Sequence, residues 1–124
     1  MRIKQSRLKQ YHHKKRITVK DSEGGTSEEY GAAVTFSGEI WPAGGKVQAE
    51  MYGERLQYIY NVRLDGNYSI QPDEKGHLHY IHESGADMME SDGICLFSKK
   101  DAIPDYKIIA IRPYRFLKLE VEKL

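Results

Sequence analysis

The sequence has little of what disulfide-bonded and membrane-spanning proteins need. Among 124 residues it holds one cysteine, Cys95, so an internal disulfide is impossible and a reducing cytosol is the expected compartment. No apolar run approaches the ~20 residues that span a bilayer. The basic N-terminus is followed by no apolar stretch of the kind that marks a signal peptide. We therefore expect no membrane partner.

Motifs for nucleophilic catalysis are also lacking. The sequence contains neither G-x-S-x-G nor a supported S-x-x-K. Cys95 lies in the apolar run at 94–97, where a buried thiol behaves as a small hydrophobe. The paired acids Glu28-Glu29 and Glu120/Glu122 lie beside a turn and on the polar face of a terminal strand, so we expect them to be solvated. The prediction is a protein that is not an enzyme, with no catalytic residue and no cofactor.

Five histidines raise the question of a metal site. In a strand His77 and His79 would share one face, while His82 would point to the other. No cysteine or acid completes a familiar ligand spacing around them. A surface hairpin with incidental histidines is the preferred interpretation, and no metal ligand is predicted. A metal-dependent enzyme built on His77, His79 and His82 is a weaker alternative.

Charge is distributed unevenly along the chain. The first 20 residues carry eight Lys and Arg and no acid, whereas the remainder carries 11 against 18 Asp and Glu. We expect residues 1–15 to form a mobile basic arm that reaches nucleic acid or an acidic partner. A solvated, frayed terminus is the equally weighted alternative. The candidate residues for electrostatic contact with DNA or a partner are Arg7, Lys9, Lys14, Lys15 and Arg16.

The stretch at 36–64 organises the rest of the chain. Alternation of Val34, Phe36 and Ile40 with polar residues predicts a half-buried strand, which Pro42 should end. Helix formers at 46–52 then predict a short helix, which Gly53 would close with a positive φ. A returning strand is expected at 56–64.

This helical excursion is too short to be a core helix by itself. We expect it to lean against other protein, such as a neighbouring copy of the chain. The candidate contact residues are Trp41, Lys46, Val47, Glu50, Met51, Tyr52, Glu54 and Arg55.

The remaining pattern predicts an all-β fold, a small β-barrel or sandwich of about six to eight short antiparallel strands with one short helix in a long connection. It would form a single domain over residues 16–124. The expected strands cover residues 16–20, 30–41, 56–64, 68–70, 77–82, 94–97, 106–112 and 116–121.

Aromatic residues interleaved with basic ones would suit a barrel that binds single-stranded nucleic acid. Tyr58, Tyr60 and Arg63 offer a weak version of that pattern. Because both tyrosines alternate in step with Val62 and Leu64, core packing explains them more simply. Single-stranded nucleic-acid binding is kept as the alternative function.

Four segments together resemble the head-tail joining proteins of tailed bacteriophages, also called head-closure, stopper or head-tail adaptor proteins. They are R-I-T-V at 16–19, E-I-W-P-A-G-G-K-V-Q-A-E-M-Y-G-E-R at 39–55, Y-K-I-I-A-I-R-P-Y at 106–114 and F-L-K-L-E-V-E at 116–122. The region at 71–92 is longer and richer in histidine than the family pattern.

The resemblance implies a small β-barrel that forms a ring at the virion head-tail interface after assembly in the bacterial host cytoplasm. Its implied partners are other copies of itself, the portal or adaptor protein, a tail-completion protein and the DNA in the channel. The subunit could be monomeric when free. A prophage in a bacterial chromosome is the implied source.

Overall fold

A computed structural model describes residues 2–20 and 22–124, and these contain nine strands and one α-helix. Parts of the predicted arm and barrel that fall on Met1 and Asp21 lie outside the described residues. The strands are β1 (Lys9–Lys20), β2 (Thr26–Pro42), β3 (Ile59–Leu64), β4 (Tyr68–Pro72), β5 (Leu78–His82), β6 (Asp87–Met88), β7 (Gly93–Cys95), β8 (Tyr106–Pro113) and β9 (Leu117–Lys123), and the helix is α1 (Gly45–Tyr52).

Six strands close into an antiparallel barrel in the order β1-β2-β3-β9-β8-β7, with β7 pairing back to β1. The other three form a separate sheet in the order β4-β5-β6. The predicted small all-β barrel with one short helix is confirmed. None of the helices in the described residues has the length and apolar character that crossing a membrane requires.

Alternating apolar residues from every side of the barrel fill its interior. Phe36, Val62 and Leu119 are at most 2% exposed, and Tyr11 packs on Phe36 with ring centroids 6.0 Å apart. Buried Met88 extends this core beneath the small sheet. Burying apolar side chains on this scale is the main driving force for folding such a domain.

The first strand begins at Lys9, not at Arg16 as the sequence predicts. Residues 9–14 pair with β2, and His12–Lys14 also pair with β7, so this half of the predicted arm belongs to the barrel wall. The register shifts between Lys14 and Arg16, which marks a bulge. Beyond it, β1 and β2 continue as a two-stranded hairpin.

The return strand β3 is shorter than predicted, because residues 53–58 form a 3₁₀-helix directly after α1. Gly45 (φ +83°) starts α1 and Gly53 (φ +55°) ends it, backbone conformations that glycine adopts without strain. Residues 45–58 are called the helical segment below.

Candidate interaction surface

The helical segment lies on the outside of the barrel, between the end of β2 and the start of β3. Every residue of α1 is exposed or only half-buried. A helix of this length has little stability by itself, so contacts to the barrel must hold it in place. Those contacts are polar.

The first anchor joins Tyr52 to the barrel. Its hydroxyl donates a short hydrogen bond to Glu120, which also accepts from Arg112 Nε at 2.9 Å. Burial, together with the Glu120 bond, raises the pKa of Tyr52 to about 12. Burial alone would raise the pKa of Glu120, but the bonds from Arg112 and Tyr52 outweigh it and hold that pKa below its usual value. Glu120 is therefore a buried, ionised acceptor for the helical segment.

Two further anchors flank the first. Arg55 donates from Nε and Nη2 to the two carboxylate oxygens of Glu122, each at 2.8 Å. Such bidentate pairs add geometric specificity to charge attraction. Gln48 Nε2 donates to Oδ1 of Asn61, a 1% exposed residue of β3, at 2.6 Å. The helical segment is thereby tied to both β3 and β9.

The side of α1 that borders the barrel surface carries two apolar side chains that remain largely exposed in the described chain. Val47 is 70% exposed and Met51 is 51% exposed. They border an open cleft of about 520 Å³ between α1 and the β8–β9 connection, whose other lining residues include Arg112, Tyr114 and Lys118. We call it the basic cleft. An exposed apolar rim beside positive charge is typical of a protein-binding surface.

Trp41 extends this surface. The guanidinium of Arg63 lies 5.9 Å from the Trp41 ring centroid and 5.3 Å from that of Phe116, and it bonds to Glu39. Trp41 and Phe116 line a second cleft, which shares Tyr114 and Lys118 with the basic cleft. The two clefts form one continuous aromatic and basic surface.

The predicted contact residues of the helical segment fall into two groups. Lys46, Val47, Glu50, Met51 and Glu54 are exposed, and Trp41 is 38% exposed. Tyr52 and Arg55 instead serve as anchors to Glu120 and Glu122.

The predicted electrostatic contacts separate in the same way. Arg7 and Lys9 are exposed. Lys14 is 9% exposed and its Nζ donates to the Ala102 carbonyl at 2.6 Å. Lys15 lies 3.4 Å from Asp92, and Arg16 lies 3.1 Å from Glu28. Three of the five cations thus have partners within the chain: Lys14 and Lys15 on the β7 side of the barrel, and Arg16 on the neighbouring strand β2.

Two histidines of the β4–β5 hairpin, His77 and His79, share one carboxylate, and His77 Nδ1 lies 3.6 Å from Asp73. His79 contacts Asp87 at 2.8 Å and Asp73 at 3.0 Å, whereas His82 is buried against Ser84 and the Asp65 carbonyl. Among residues 2–20 and 22–124, no group of three His, Cys, Asp or Glu side chains is arranged to hold a metal ion.

The fold separates Tyr58 from Tyr60, the two aromatic residues on which binding of single-stranded nucleic acid would depend. Tyr60 packs edge-to-face against Phe97 and Tyr106, with ring centroids 5.7 and 5.9 Å apart. Tyr58 belongs to the 3₁₀-helix and is 51% exposed.

Cys95 is 1% exposed, as predicted.

Sequence reasoning missed the barrel side of the basic cleft, formed by Arg112, Tyr114 and Lys118. Glu120, which the sequence places on the polar face of the last strand and predicts to be solvated, is instead 2% exposed, because Tyr52 and Arg112 cover it. The missing signal was strand order, since only the pairing of β3 with β9 brings that face beneath the helical segment.

Comparison with known protein families, curated proteins and solved structures gives no match to this chain.

Proposed function

We propose that this chain is a structural assembly subunit, a head-tail joining protein of a tailed bacteriophage that works as a ring on the portal or adaptor. One observation carries the proposal: the barrel holds a helical segment on its outside by polar anchors and leaves Val47 and Met51 exposed. Adjoining apolar side chains that remain exposed beside a cleft are a common mark of a protein interaction site. A protein partner fits better than a substrate.

The barrel supports the same proposal. Its interior is filled by a contiguous cluster of buried apolar side chains, so it provides a rigid body instead of a ligand chamber. The resemblance of the segments at 16–19, 39–55, 106–114 and 116–122 supplies the partner class: the portal or adaptor, a tail-completion protein, and the packaged DNA that the ring would retain.

The test is a mass measurement in solution of the purified protein alone and mixed with the portal protein encoded in the same genome. The expected result is a complex of several copies on each portal ring, whatever the mass of the free protein. Replacing Val47 and Met51 by Asp should abolish that complex and leave the unfolding midpoint unchanged, because both side chains are exposed.

The matched control is Ile70→Asp, which alters an equally apolar, 44% exposed residue on β4. It should bind the portal normally. A protein that never binds the portal, or binds it equally well with both α1 substitutions, would contradict the proposal.

A further inference from the structure

Two open clefts of opposite charge lie on the surface of this barrel. The basic cleft contains Lys46, Arg112 and Lys118 together with one acid, Glu120. A separate cleft, about 420 Å³ in volume, contains Glu28, Glu29 and Asp101 together with one base, Lys14. We call it the acidic cleft.

Internal contacts preserve the sign of each cleft. In the basic cleft Glu120 is already occupied by Tyr52 and Arg112 and also lies 3.9 Å from Lys118, while Lys46 is exposed; the cleft thus holds three cations against one carboxylate. In the acidic cleft Lys14 donates to the Ala102 carbonyl and Glu28 is paired with Arg16, while Glu29 and Asp101 are exposed. The charges left for a partner are therefore positive on one cleft and negative on the other.

Both clefts also present uncovered apolar groups. Val47 and Met51 border the basic cleft, and Ile103, 79% exposed, borders the acidic one. Ile103 is held outward because Pro104 packs directly on Gly93, where an added Cβ would lie 2.4 Å from Pro104 Cγ. The loop that carries Ile103 is thereby seated on β7.

The barrel order places the two clefts on opposite sides. The basic cleft is built on β8, β9 and the α1 anchors to β3 and β9, whereas the acidic cleft is built on β1, β2 and the loop after β7. In a closed ring of six strands β1 and β9 are three positions apart, as are β7 and β3. Surfaces related in this way cannot meet within one molecule, but they can meet between copies.

We propose that the occupant of the basic cleft is a second copy of this chain, which inserts the Ile103 loop and the acidic cleft around it against α1. Lys46 and Lys118 then face Glu29 and Asp101 of the neighbour, and Val47 and Met51 cover Ile103. Because the two surfaces differ, the contact is head-to-tail and repeats from copy to copy, which closes a ring when the rotation allows. This inference rests on the proposed function and names the faces that join its subunits.

Crosslinking tests the pairing directly, because the native thiol of Cys95 is 1% exposed and unreactive in the folded chain. Val47→Cys and Ile103→Cys are prepared as separate proteins with tags of different size. A short bismaleimide should join the two proteins when they are mixed and should join neither to itself. The double variant should give a ladder of oligomers. Ile70→Cys, outside both clefts, serves as the control and should crosslink to none of them.

Each mixture is measured twice, once with the protein alone at its highest soluble concentration and once with it bound to the portal. A mixed crosslink in either sample supports the head-to-tail contact. Efficient crosslinking of Val47→Cys to itself, or no mixed crosslink in both samples, overturns it. Portal binding without the mixed crosslink removes this inference and leaves the proposed function intact. A mixed crosslink without portal binding supports the head-to-tail contact and contradicts the proposed function.

Charge reversal provides a second measurement. Lys46→Glu in the Val47→Cys protein should lower the mixed yield several-fold, and so should Asp101→Lys in the Ile103→Cys protein. Added salt should lower the yield of the unreversed pair, because attraction between exposed charges is screened. Yields unaffected by both reversals and by salt overturn the charge pairing.

Discussion

His13 Nε2 lies 2.8 Å from Asp92 Oδ2, and both side chains are 3% exposed. The same carboxylate accepts hydrogen bonds from the backbone N–H groups of Arg16 and Met89, at 3.1 and 3.0 Å. His13 and Arg16 belong to β1, whereas Asp92 and Met89 lie just before β7. One buried carboxylate therefore fastens the bulge of β1 to the strand that closes the barrel.

Burial of Asp92 would by itself raise its pKa. The hydrogen bonds from His13 and from the Arg16 and Met89 backbone outweigh that effect, so the pKa of Asp92 lies below its ordinary value. The ionised form is thus the one that holds the barrel closed, and its loss should be costly.

Replacing Asp92 by Asn tests this arrangement. The amide keeps the shape but loses the charge and presents a donor toward groups that also donate, so we expect a loss of about 2–3 kcal/mol in the free energy of unfolding. Urea unfolding measures it. Asp101→Asn, an exposed carboxylate, is the control and should change the stability by less than about 0.5 kcal/mol. Equal stability of both variants and the parent would show that the Asp92 carboxylate does not stabilise the junction of β1 and β7.

The same carboxylate predicts how stability depends on acid pH. In the unfolded chain the pKa of an Asp is about 3.9, above the folded value for Asp92, so the unfolded state takes up its proton first as the pH falls. The stabilisation is complete above that unfolded pKa and is lost as the pH falls through the folded one. Urea midpoints measured at about pH 5, 4 and 3 should fall less steeply for Asp92→Asn than for the parent. If the urea midpoints of the parent and of Asp92→Asn fall equally steeply with pH, Asp92 does not contribute in this way.

Gly38 offers a sharp test of the β2–β3 pairing. It lies opposite Leu64, and a Cβ added there would be 2.6 Å from the Arg63 carbonyl oxygen, a backbone atom that cannot rotate away. Gly38→Ala should destabilise the fold by about 1–3 kcal/mol. The matched control is Gly44→Ala, since Gly44 has extended φ and open space around it. Thermal unfolding of both variants decides the matter, and a neutral Gly38→Ala would show that the strands are farther apart.

The Tyr52 anchor predicts a local effect on the helical segment. Tyr52→Phe removes the donor to the ionised Glu120 and should cost about 1.5–3 kcal/mol. Amide hydrogen exchange should accelerate at residues 45–58 and stay unchanged in the barrel strands. Tyr58→Phe, on the exposed side of the same segment, is the control. Faster exchange spread over the whole barrel, or none at all, would refute this anchoring.

Ionisation of Tyr52 provides a separate measurement. Its pKa of about 12 exceeds the unfolded value of about 10 because the folded chain favours the neutral phenol. The contribution to stability is therefore present below the unfolded pKa and lost as the pH rises toward the folded one. The difference in tyrosinate absorbance between the parent and Tyr52→Phe should show one group ionising near 12. A difference curve centred near about 10 would be evidence against the buried bond.

Period-2 alternation was sufficient to predict most of the barrel from the sequence. Phe36, Val62 and Leu119 follow it and are buried in the core. Gly53 also predicts the end of α1, because glycine readily adopts the positive φ found there. Local patterns of this kind depend on neighbours in the chain, so they can be read without the fold.

The start of β1 could not be read in this way. Lys14 and Lys15 look like parts of a solvated arm, and their partners are the Ala102 carbonyl and Asp92, far away in sequence. The basic cleft was missed for the same reason, since Lys118 meets α1 only through the β3–β9 pairing. Contacts of long sequence separation decide both features.

The β4–β5 hairpin carries the last prediction, which concerns the order in which histidines titrate. Both ring nitrogens of His79 face carboxylates: Nδ1 lies 2.8 Å from Asp87 and Nε2 lies 3.0 Å from Asp73. Only the imidazolium can donate to both, so these bonds raise the pKa of His79. Burial lowers the pKa of His82 and also that of His12, where Lys100 and Lys14 add to the effect.

A nuclear magnetic resonance titration should therefore find His79 as the histidine that loses its proton at a higher pH than His12 and His82. Because its folded pKa is raised, the contribution of His79 to hairpin stability is present below the unfolded pKa of about 6.5 and is lost as the pH rises through the folded value. Asp73→Asn should move the His79 titration to lower pH, while Glu74→Gln, an exposed change on the same turn, should leave it in place. If His79 titrates together with His82, or if its titration is unchanged in Asp73→Asn, the carboxylates do not stabilise the imidazolium. The ion pairs of His79 would then contribute nothing to the stability of the hairpin.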